Sequence, residues 1–366
     1  MRFTLFAIIC LSPVLMLAQN GNDVTFEEYN PPSTLVVPEH PVTKAKYPFI
    51  DVHNHQFSMP SQNLRALVNE MDGINMGIMV NLSGRGRGGT SHLDGALGNI
   101  QESKLTSRLV IFTNVDFGGI DDPQWGEKAV QLLEDDVKKG ARGLKIYKSL
   151  GLRYTDADGN RVKVDDPRID PVWAKCGELG IPVLIHSADP KSFWHEHDKD
   201  NERWLELKLR PNRKRSDDDP APWQDIIDEQ HHVFRKHPGT TFINAHFGWY
   251  ANDLGKLSEL LDEFPNMVVE FGAVIAELGR QPRMARDFFI KYQDRIMFGK
   301  DAWNPEEYYT YFRVLETADE YFPYYKKYHA YWKMYGLDLP DEVLRKVYYK
   351  NALRVIPNLD ASLFPE

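Results

Sequence analysis

Short apolar runs alternate along this chain with longer stretches in which apolar positions recur every three or four residues. The eight runs are Phe49 to His55, Met76 to Leu82, Leu109 to Val115, Gly143 to Tyr147, Pro182 to His186, Thr241 to His246, Met267 to Phe271 and Ile296 to Gly299. Each has the length and bounding polar residues of a strand. Between them, Leu254, Leu257, Leu261 and Phe264 recur at helical steps behind Asn252 and Asp253. Asp170 and Pro171 read as the cap and first turn of a helix carrying Val172, Trp173 and Leu179. Pro340, Asp341 and Glu342 open a last helix carrying Val343, Leu344, Val347, Tyr348, Ala352 and Val355. Eight strands each followed by a helix predict an α/β fold, the (β/α)8 TIM barrel. A doubly wound open sheet is the alternative, but no G-x-G-x-x-G follows the first run.

Two connections are longer than a barrel needs. One runs from Ser187 to about Asp225, after the fifth strand, and the other from Trp303 to about Leu339, after the eighth. Both belong on the C-terminal face, where barrel chemistry sits. They can form a lid or substrate wall, although most tyrosines of the second are expected to pack against the barrel. That aromatic insertion could also bury a partner surface, which leaves a homo-oligomer open.

Composition narrows the picture. The chain has 366 residues, 42% hydrophobic and 27% charged, with net charge -9, which argues against a nucleic-acid surface. The basic cluster Arg210, Arg213, Lys214 and Arg215 is cancelled at once by Asp217, Asp218 and Asp219. Residues 1–18 read as a secretory signal, with Arg2 ahead of an apolar stretch broken by Pro13 and too short to span a bilayer comfortably. No stable membrane insertion is expected after cleavage, and the protein is expected to be exported, periplasmic or secreted. Residues 19–46 are polar and Pro-rich and read as an extended arm, with residues 47–366 forming the barrel domain. Once Cys10 is removed with the signal, Cys176 is the only cysteine and no intrachain disulfide is possible.

The polar residues of the runs carry the chemistry. In Phe49-Ile50-Asp51-Val52-His53-Asn54-His55, strand alternation puts Asp51, His53 and His55 on one face. His186 ends the fifth run, His246 the sixth, and Asp301 follows the eighth. Each unpartnered polar side chain in that lumen would cost on the order of 1–3 kcal/mol. A metal removes the cost by using the lone pairs. Imidazole and carboxylate ligands suit a catalytic Zn2+ site, with Mn2+ or Fe2+ as alternatives. Lys145 and Tyr147 share the lumen face of the fourth run, and Glu270 lies on the seventh. Arg85 and Arg87 sit in the glycine-rich loop after the second run, and Arg280 follows the seventh; all three are candidates for gripping a substrate carboxylate. His195 and His197 read as exposed, and His92, His231, His232, His237 and His329 as surface residues.

The order of H-x-H on the first strand, His on the fifth and sixth, and Asp on the eighth resembles the amidohydrolase superfamily. The segments 182–186, 244–249, 298–303 and Asn351-Ala352 resemble its amidohydrolase-related family 2 branch, which includes aminocarboxymuconate-semialdehyde decarboxylase. The resemblance spans roughly residues 47 to 357. It implies one divalent metal on His53, His55, His186 and Asp301. His246 would polarise the substrate or move a proton, and Asp301 would act as the base for the activated water. Lys300, before Asp301, departs from the small hydroxyl residue of many relatives. In two-metal branches a strand-four lysine is carbamylated; the other readings of Lys145 are an ammonium binding a substrate carboxylate or paired with Glu270. The residues leave these open.

The function expected is a metal-dependent hydrolase that opens an ester, lactone or amide-like bond of a small polar, possibly carboxylated substrate. Export favours hydrolysis, which needs only water. The alternatives are a lyase of the same family, decarboxylase or hydratase, and a non-catalytic ligand-binding barrel. Mass spectrometry of the exported protein should give a mature chain beginning at Gln19; an intact residue 1 would remove the signal reading.

Overall fold

The computed structural model describes residues 24–365, so the signal reading falls outside the described residues. By their contacts the described residues divide after Leu35, so residues 36–46 of the expected arm group with the barrel. Residues Val36 to Lys46 are tied there by His40 N–H to Asp319 (2.7 Å), Ala45 N–H to the Ile74 carbonyl (3.2 Å) and Lys46 N–H to Glu316 (3.0 Å). Among the described residues no helix is long and apolar enough to cross a membrane.

Every strand pairing is parallel. One sheet holds β1 (Phe49–Asn54), β2 (Met76–Asn81) and β3 (Leu109–Ile111). The other holds β4 (Thr113–Asn114), β5 (Leu144–Ile146), β6 (Val183–Ile185), β7 (Phe242–Asn244), β8 (Met267–Glu270) and β9 (Ile296–Met297), in that order. The third apolar run is thus one strand position in two pieces, broken only at Phe112. Its edges are joined by Phe112 N–H to the Asn81 carbonyl and Thr113 N–H to the Gly143 carbonyl. At the other edge the segment after β9 meets β1 through Val52 N–H to Phe298 O (3.0 Å) and Asp301 N–H to His53 O (2.6 Å). Eight strand positions therefore surround one lumen, with helices outside, as the sequence predicts. Parallel strands covered on both faces read as continuous apolar runs because neither face meets water.

The helices hold the barrel by burying their apolar stripes, and their ends are set by local chemistry. Asp253 caps the helix Leu254–Glu263 by accepting from Lys256 N–H. Asp170 does not cap the helix Asp170–Glu178; Asp166 caps the short turn that leads into it, and Asp170 instead pairs with His237 and Lys236. The long connection after β9 begins with a barrel helix, Pro305–Glu316, whose Tyr308, Tyr311 and Phe312 are fully buried against Phe49, Phe271 and Phe298. Those tyrosines are core, as expected. Cys176 is a buried thiol whose pKa is pushed up by burial.

His231 overturns its surface assignment. It is 7% exposed on the helix Trp223–Lys236, between Phe264 and the Tyr250 and Phe234 rings. Burial pushes its imidazole down to about 4 from an ordinary 6.5. Asp228 and Glu263 pull it up, and Arg235 and Lys256 push it down, without reversing burial. Between those two values the unfolded chain binds a proton that the folded chain refuses, so stability is full above 6.5 and falls as pH drops toward 4. The loss is on the order of 3 kcal/mol. Urea unfolding of His231→Leu should show a flatter fall between those pH values than the parent; parallel curves would remove His231 as the cause.

Candidate metal centre

β1 delivers both of its histidines to the lumen, since residues two apart share a face of the strand. His53 is fully buried and His55 partly exposed, its side chain 16% accessible. Their Nε2 atoms stand 3.5 and 3.6 Å from the same oxygen, Oδ1 of Asp301. These three side chains gather closely enough to hold one ion. Asp301 is brought there by its backbone: its N–H bonds the His53 carbonyl, and its φ of 86° turns the chain off β9 into the mouth.

Hydrogen bonds fix which nitrogen of each ring is free. His53 Nδ1 lies 2.8 Å from Glu270 Oε1, so Nδ1–H donates to the carboxylate and Nε2 keeps its lone pair. His55 Nδ1 is 2.8 Å from Ser83 Oγ, which is 3.0 Å from the Tyr147 hydroxyl, which donates to the Leu82 carbonyl at 3.1 Å. That carbonyl only accepts, so the whole relay points away from His55, and its Nε2 is also a lone pair. His246 Nδ1–H donates to the Gly272 carbonyl at 2.6 Å. Its Nε2 then accepts from His186 Nδ1 at 3.2 Å, which leaves His186 Nε2 free. Backing each ligand imidazole with an acceptor is the arrangement metal sites use to orient the ring.

The electrostatics agree with lone pairs. Burial holds His53 and His186 well below the ordinary imidazole range and lowers His55 to about 4. Asp301 is held below the usual carboxylate range: burial acts to raise it, and His53, His246, His55 and Lys145 outweigh burial. Neutral rings around an ionised carboxylate make a site for a cation. His53 Nε2 and His186 Nε2 are buried with no hydrogen-bond partner in the protein, as expected of atoms kept for a ligand. The residues present therefore fit a divalent metal.

His186 stands one ring away from the His53–His55–Asp301 group and is gathered with His246 rather than with the three. Glu270 does not pair with Lys145. Its Oε1 takes His53 Nδ1–H and His246 N–H (2.8 Å each) and its Oε2 takes Gly272 N–H (2.6 Å). Lys145 is 1% exposed, its Nζ has no hydrogen-bond partner, and burial lowers its ammonium to about 8. Asp51 is the buried hydrogen-bond partner its position suggests, bonded by the Tyr308 hydroxyl (2.6 Å), Asn54, and the N–H groups of His53 and Lys300.

The arginines fall outside the centre. Arg85 is held by Asp136 (2.8 and 2.9 Å) and Thr90, because an arginine beside a buried carboxylate is already satisfied. Arg280 pairs with Glu202 (3.2 Å) and lies 5.1 Å from the Trp332 ring centroid. Arg87 is exposed. His195 and His197 are exposed as expected, and His197 bonds the Trp204 carbonyl. His92 is not a free surface residue: its two nitrogens lie 2.9 Å from the carbonyls of Gly84 and Phe57, joining the loops after β1 and β2. Tyr147 lies on the Lys145 face that alternation gives it. Ser83 and Gly299 are not among the sequence candidates, although Ser83 lies two residues beyond Asn81, so alternation points to it.

The amidohydrolase family model matches residues 115–357. No curated protein matches the chain. Among the solved structures that share its fold are these two. One is a dihydroxybenzoic acid decarboxylase from Polaromonas sp., solved with manganese and the inhibitor 2-nitroresorcinol, at 13% identity over 84% of this chain and 96% of that one, TM-score 0.53. The other is an uncharacterized TIM-barrel protein from Bordetella bronchiseptica, at 14% identity over 84% and 97%, TM-score 0.51.

A Cβ on Gly299 would collide with Glu270 Oε2 and the His53 Cβ. Gly299→Ala should therefore displace the carboxylate from His53 and weaken metal affinity about 10- to 100-fold. Ser83→Ala, which removes one acceptor without collision, should weaken it by about tenfold at most. Competition with a chelator reads both; equal affinity in all three proteins would show that these contacts do not set the rings.

Proposed function

The chain belongs to the amidohydrolase family, whose members are metal-dependent enzymes acting on small molecules, and from there we propose that it is an exported hydrolase of a small polar ester, lactone or amide-like substrate. The observation that carries the reading is the convergence of two Nε2 lone pairs on one Asp301 oxygen. His53, His55 and Asp301 would hold one divalent metal, with His186 completing the set and zinc the favoured ion for this donor chemistry. When bound, the ion supplies Lewis acidity, which lowers the pKa of a water and polarises a substrate oxygen.

The chain's own groups do the rest. Asp301 Oδ2, the oxygen not facing the two histidines, is free to take a proton from the attacking water. His246 is aimed by its bond to Gly272 and by the Trp249 ring stacked on it at 4.6 Å. It stands on the His186 side of the cluster, where its Nε2, which carries a lone pair, can take up a proton. Glu270 keeps the His53 and His246 geometry rather than moving protons itself. Lys145, with no partner, is placed to bind an anionic group of the substrate.

Two observations favour second readings at two points. A decarboxylase shares the fold, and an unpaired buried Lys145 suits a carboxylate substrate, which supports a lyase. A lysine with its ammonium lowered to about 8 is also an amine able to take up carbon dioxide, which supports a carbamate and a second ion.

Metal analysis of the purified protein should find one equivalent; two equivalents, lost in Lys145→Met, would establish the carbamate instead. With a substrate found by mass screening of lactones, esters and aromatic acids, the product should gain one water. Loss of carbon dioxide would establish the lyase. Asp301→Asn should lower kcat at least about 100-fold, in the range that positioned acid–base groups contribute; full turnover would refute the assignment.

A further inference from the structure

The first insertion carries a buried cluster of charges that is short of one cation. Arg203, 4% exposed, stands between two carboxylates and bonds Glu206 Oε2 (2.9 Å) and Glu277 Oε1 (2.6 Å). Glu206 lies on the same insertion, and Glu277 on the short helix Ile275–Gly279 after β8. Glu206 has a second cation, since its other oxygen accepts from Arg213. Glu277 has none: its Oε2 is buried without a hydrogen-bond partner, and its side chain is 10% exposed. One guanidinium shared by two carboxylates leaves a negative charge over, on the side of Glu277. A buried carboxylate oxygen left unmatched is costly. In a native fold such an atom marks the place of a partner from outside the chain.

Glu277 and Arg203 line a cavity of about 170 Å³ formed by the first insertion and the segments after β7 and β8, with Trp249 as a wall. Its other charged members, Lys191, His195, Asp200 and Glu202, are exposed. Water and salt therefore screen them. Lys191 stands over the Trp223 ring at 5.2 Å, while Lys199 and Arg280 already face Asp200 and Glu202. The unmatched charge inside is thus the Glu277 carboxylate.

The missing partner has to be both a donor and a cation. A hydroxyl would satisfy the oxygen and leave the charge, and an anion would add to it. A metal ion lacks ligands: among the described residues no two further histidine or carboxylate side chains gather with Glu277 closely enough to hold one. An organic ammonium fits on two counts. It donates to the free oxygen, and the Trp249 ring attracts it as aromatic faces attract cations. The same indole stacks on His246 at 4.6 Å and stands 5.5 Å from the His186 ring, so the cavity adjoins the metal centre.

We propose that this cavity is a subsite for a protonated amine, held between Glu277 Oε2 and the Trp249 ring, and that the substrate opened at the metal centre carries that ammonium group. The second part rests on the hydrolase reading above; the subsite itself does not.

The test is calorimetric titration of the metal-loaded protein with n-butylammonium chloride, and with n-butanol as a neutral molecule of similar size. The amine should bind saturably and at least about tenfold more tightly than the alcohol, the size of a hydrogen bond to a charged group. Glu277→Gln should remove that difference, and Trp249→Leu should weaken the amine about fivefold. Should Glu277→Gln lose its fold by circular dichroism, the parent's preference for the amine and the Trp249→Leu titration still decide. Equal binding of the two probes, or amine binding unchanged in both variants, would overturn the subsite. Ethyl 6-aminohexanoate and ethyl hexanoate test the link to the substrate: the amino ester should show a KM about tenfold lower, an advantage lost in Glu277→Gln. Equal KM values would overturn the link. Turnover of neither ester, or a parent protein that holds no metal, would refute the hydrolase reading and leave the calorimetric result standing, so the two failures are distinguishable.

Discussion

The Glu270 carboxylate is the constraint on which the site depends. It is fully buried, and burial pushes its carboxyl up. What keeps it there is a set of N–H donors: the His53 ring, the His246 backbone and the Gly272 backbone. Those same bonds link β1, the turn after β7 and the turn after β8. One side chain therefore decides the tautomer of a proposed ligand and the path of the loops after β7 and β8. Removing it would leave three buried donors unpaired, which costs more than the bonds contribute when made. The space is set equally tightly, since Gly272 and Gly299 admit the carboxylate only because neither has a Cβ.

Among the described residues, six of the eleven positive-φ residues other than glycine sit around this hub. His246, Phe247 and Trp249 all have positive φ (57°, 55° and 64°), as do Ala188 (58°), Ala273 (59°) and Asp301 (86°). These residues follow β6, β7, β8 and β9 at the same end of the barrel. Such conformations cost on the order of 1–3 kcal/mol each for residues with a Cβ and persist only where surroundings enforce them. Here the enforcing contacts are the Glu270 bonds, the Asp301–His53 backbone bond and the Trp249 indole bond to the Ser187 carbonyl (3.0 Å). The strained turns point side chains inward at strand ends, where regular strand geometry would carry the chain past the mouth.

Sequence alternation was enough to find the eight strand positions and the polar ring at their tips, because a parallel barrel buries both strand faces and leaves only lumen tips polar. The metal candidates His53, His55 and Asp301 come together for that reason. What spacing cannot convey is who satisfies whom. Arg85 looked free beside glycines, but Asp136 lies 51 residues away in sequence and only the fold brings the two together. The Glu270–Lys145 pair was reasonable by charge, yet backbone N–H groups claimed the carboxylate first. Asp170 matched a cap signal, and a nearer Asp166 took the turn that precedes the helix. Histidines without a local pattern were assigned to the surface, and His231 is instead held inside by Tyr250 and Phe264, aromatic neighbours from other elements.

Lys145 is the remaining unbalanced charge, and its surroundings limit what can balance it. Glu270 is committed to three donors, and Asp301 faces the two β1 histidines. The ammonium is 5.6 Å from the Tyr147 ring centroid, a contact that offers a modest cation–π attraction and no hydrogen bond. Tyr147 cannot turn its hydroxyl toward it without breaking the relay that orients His55. Lys148, nearby, is occupied by Asp189. The chain thus holds one cationic group in reserve beside the proposed metal, with no hydrogen-bond partner of its own and Glu270 already engaged. A buried group kept in that state, rather than paired, is poised for something that enters with the substrate or is added to the amine itself. Both lead to a negative charge at the same point of the lumen, which is the feature any substrate or second ion must accommodate.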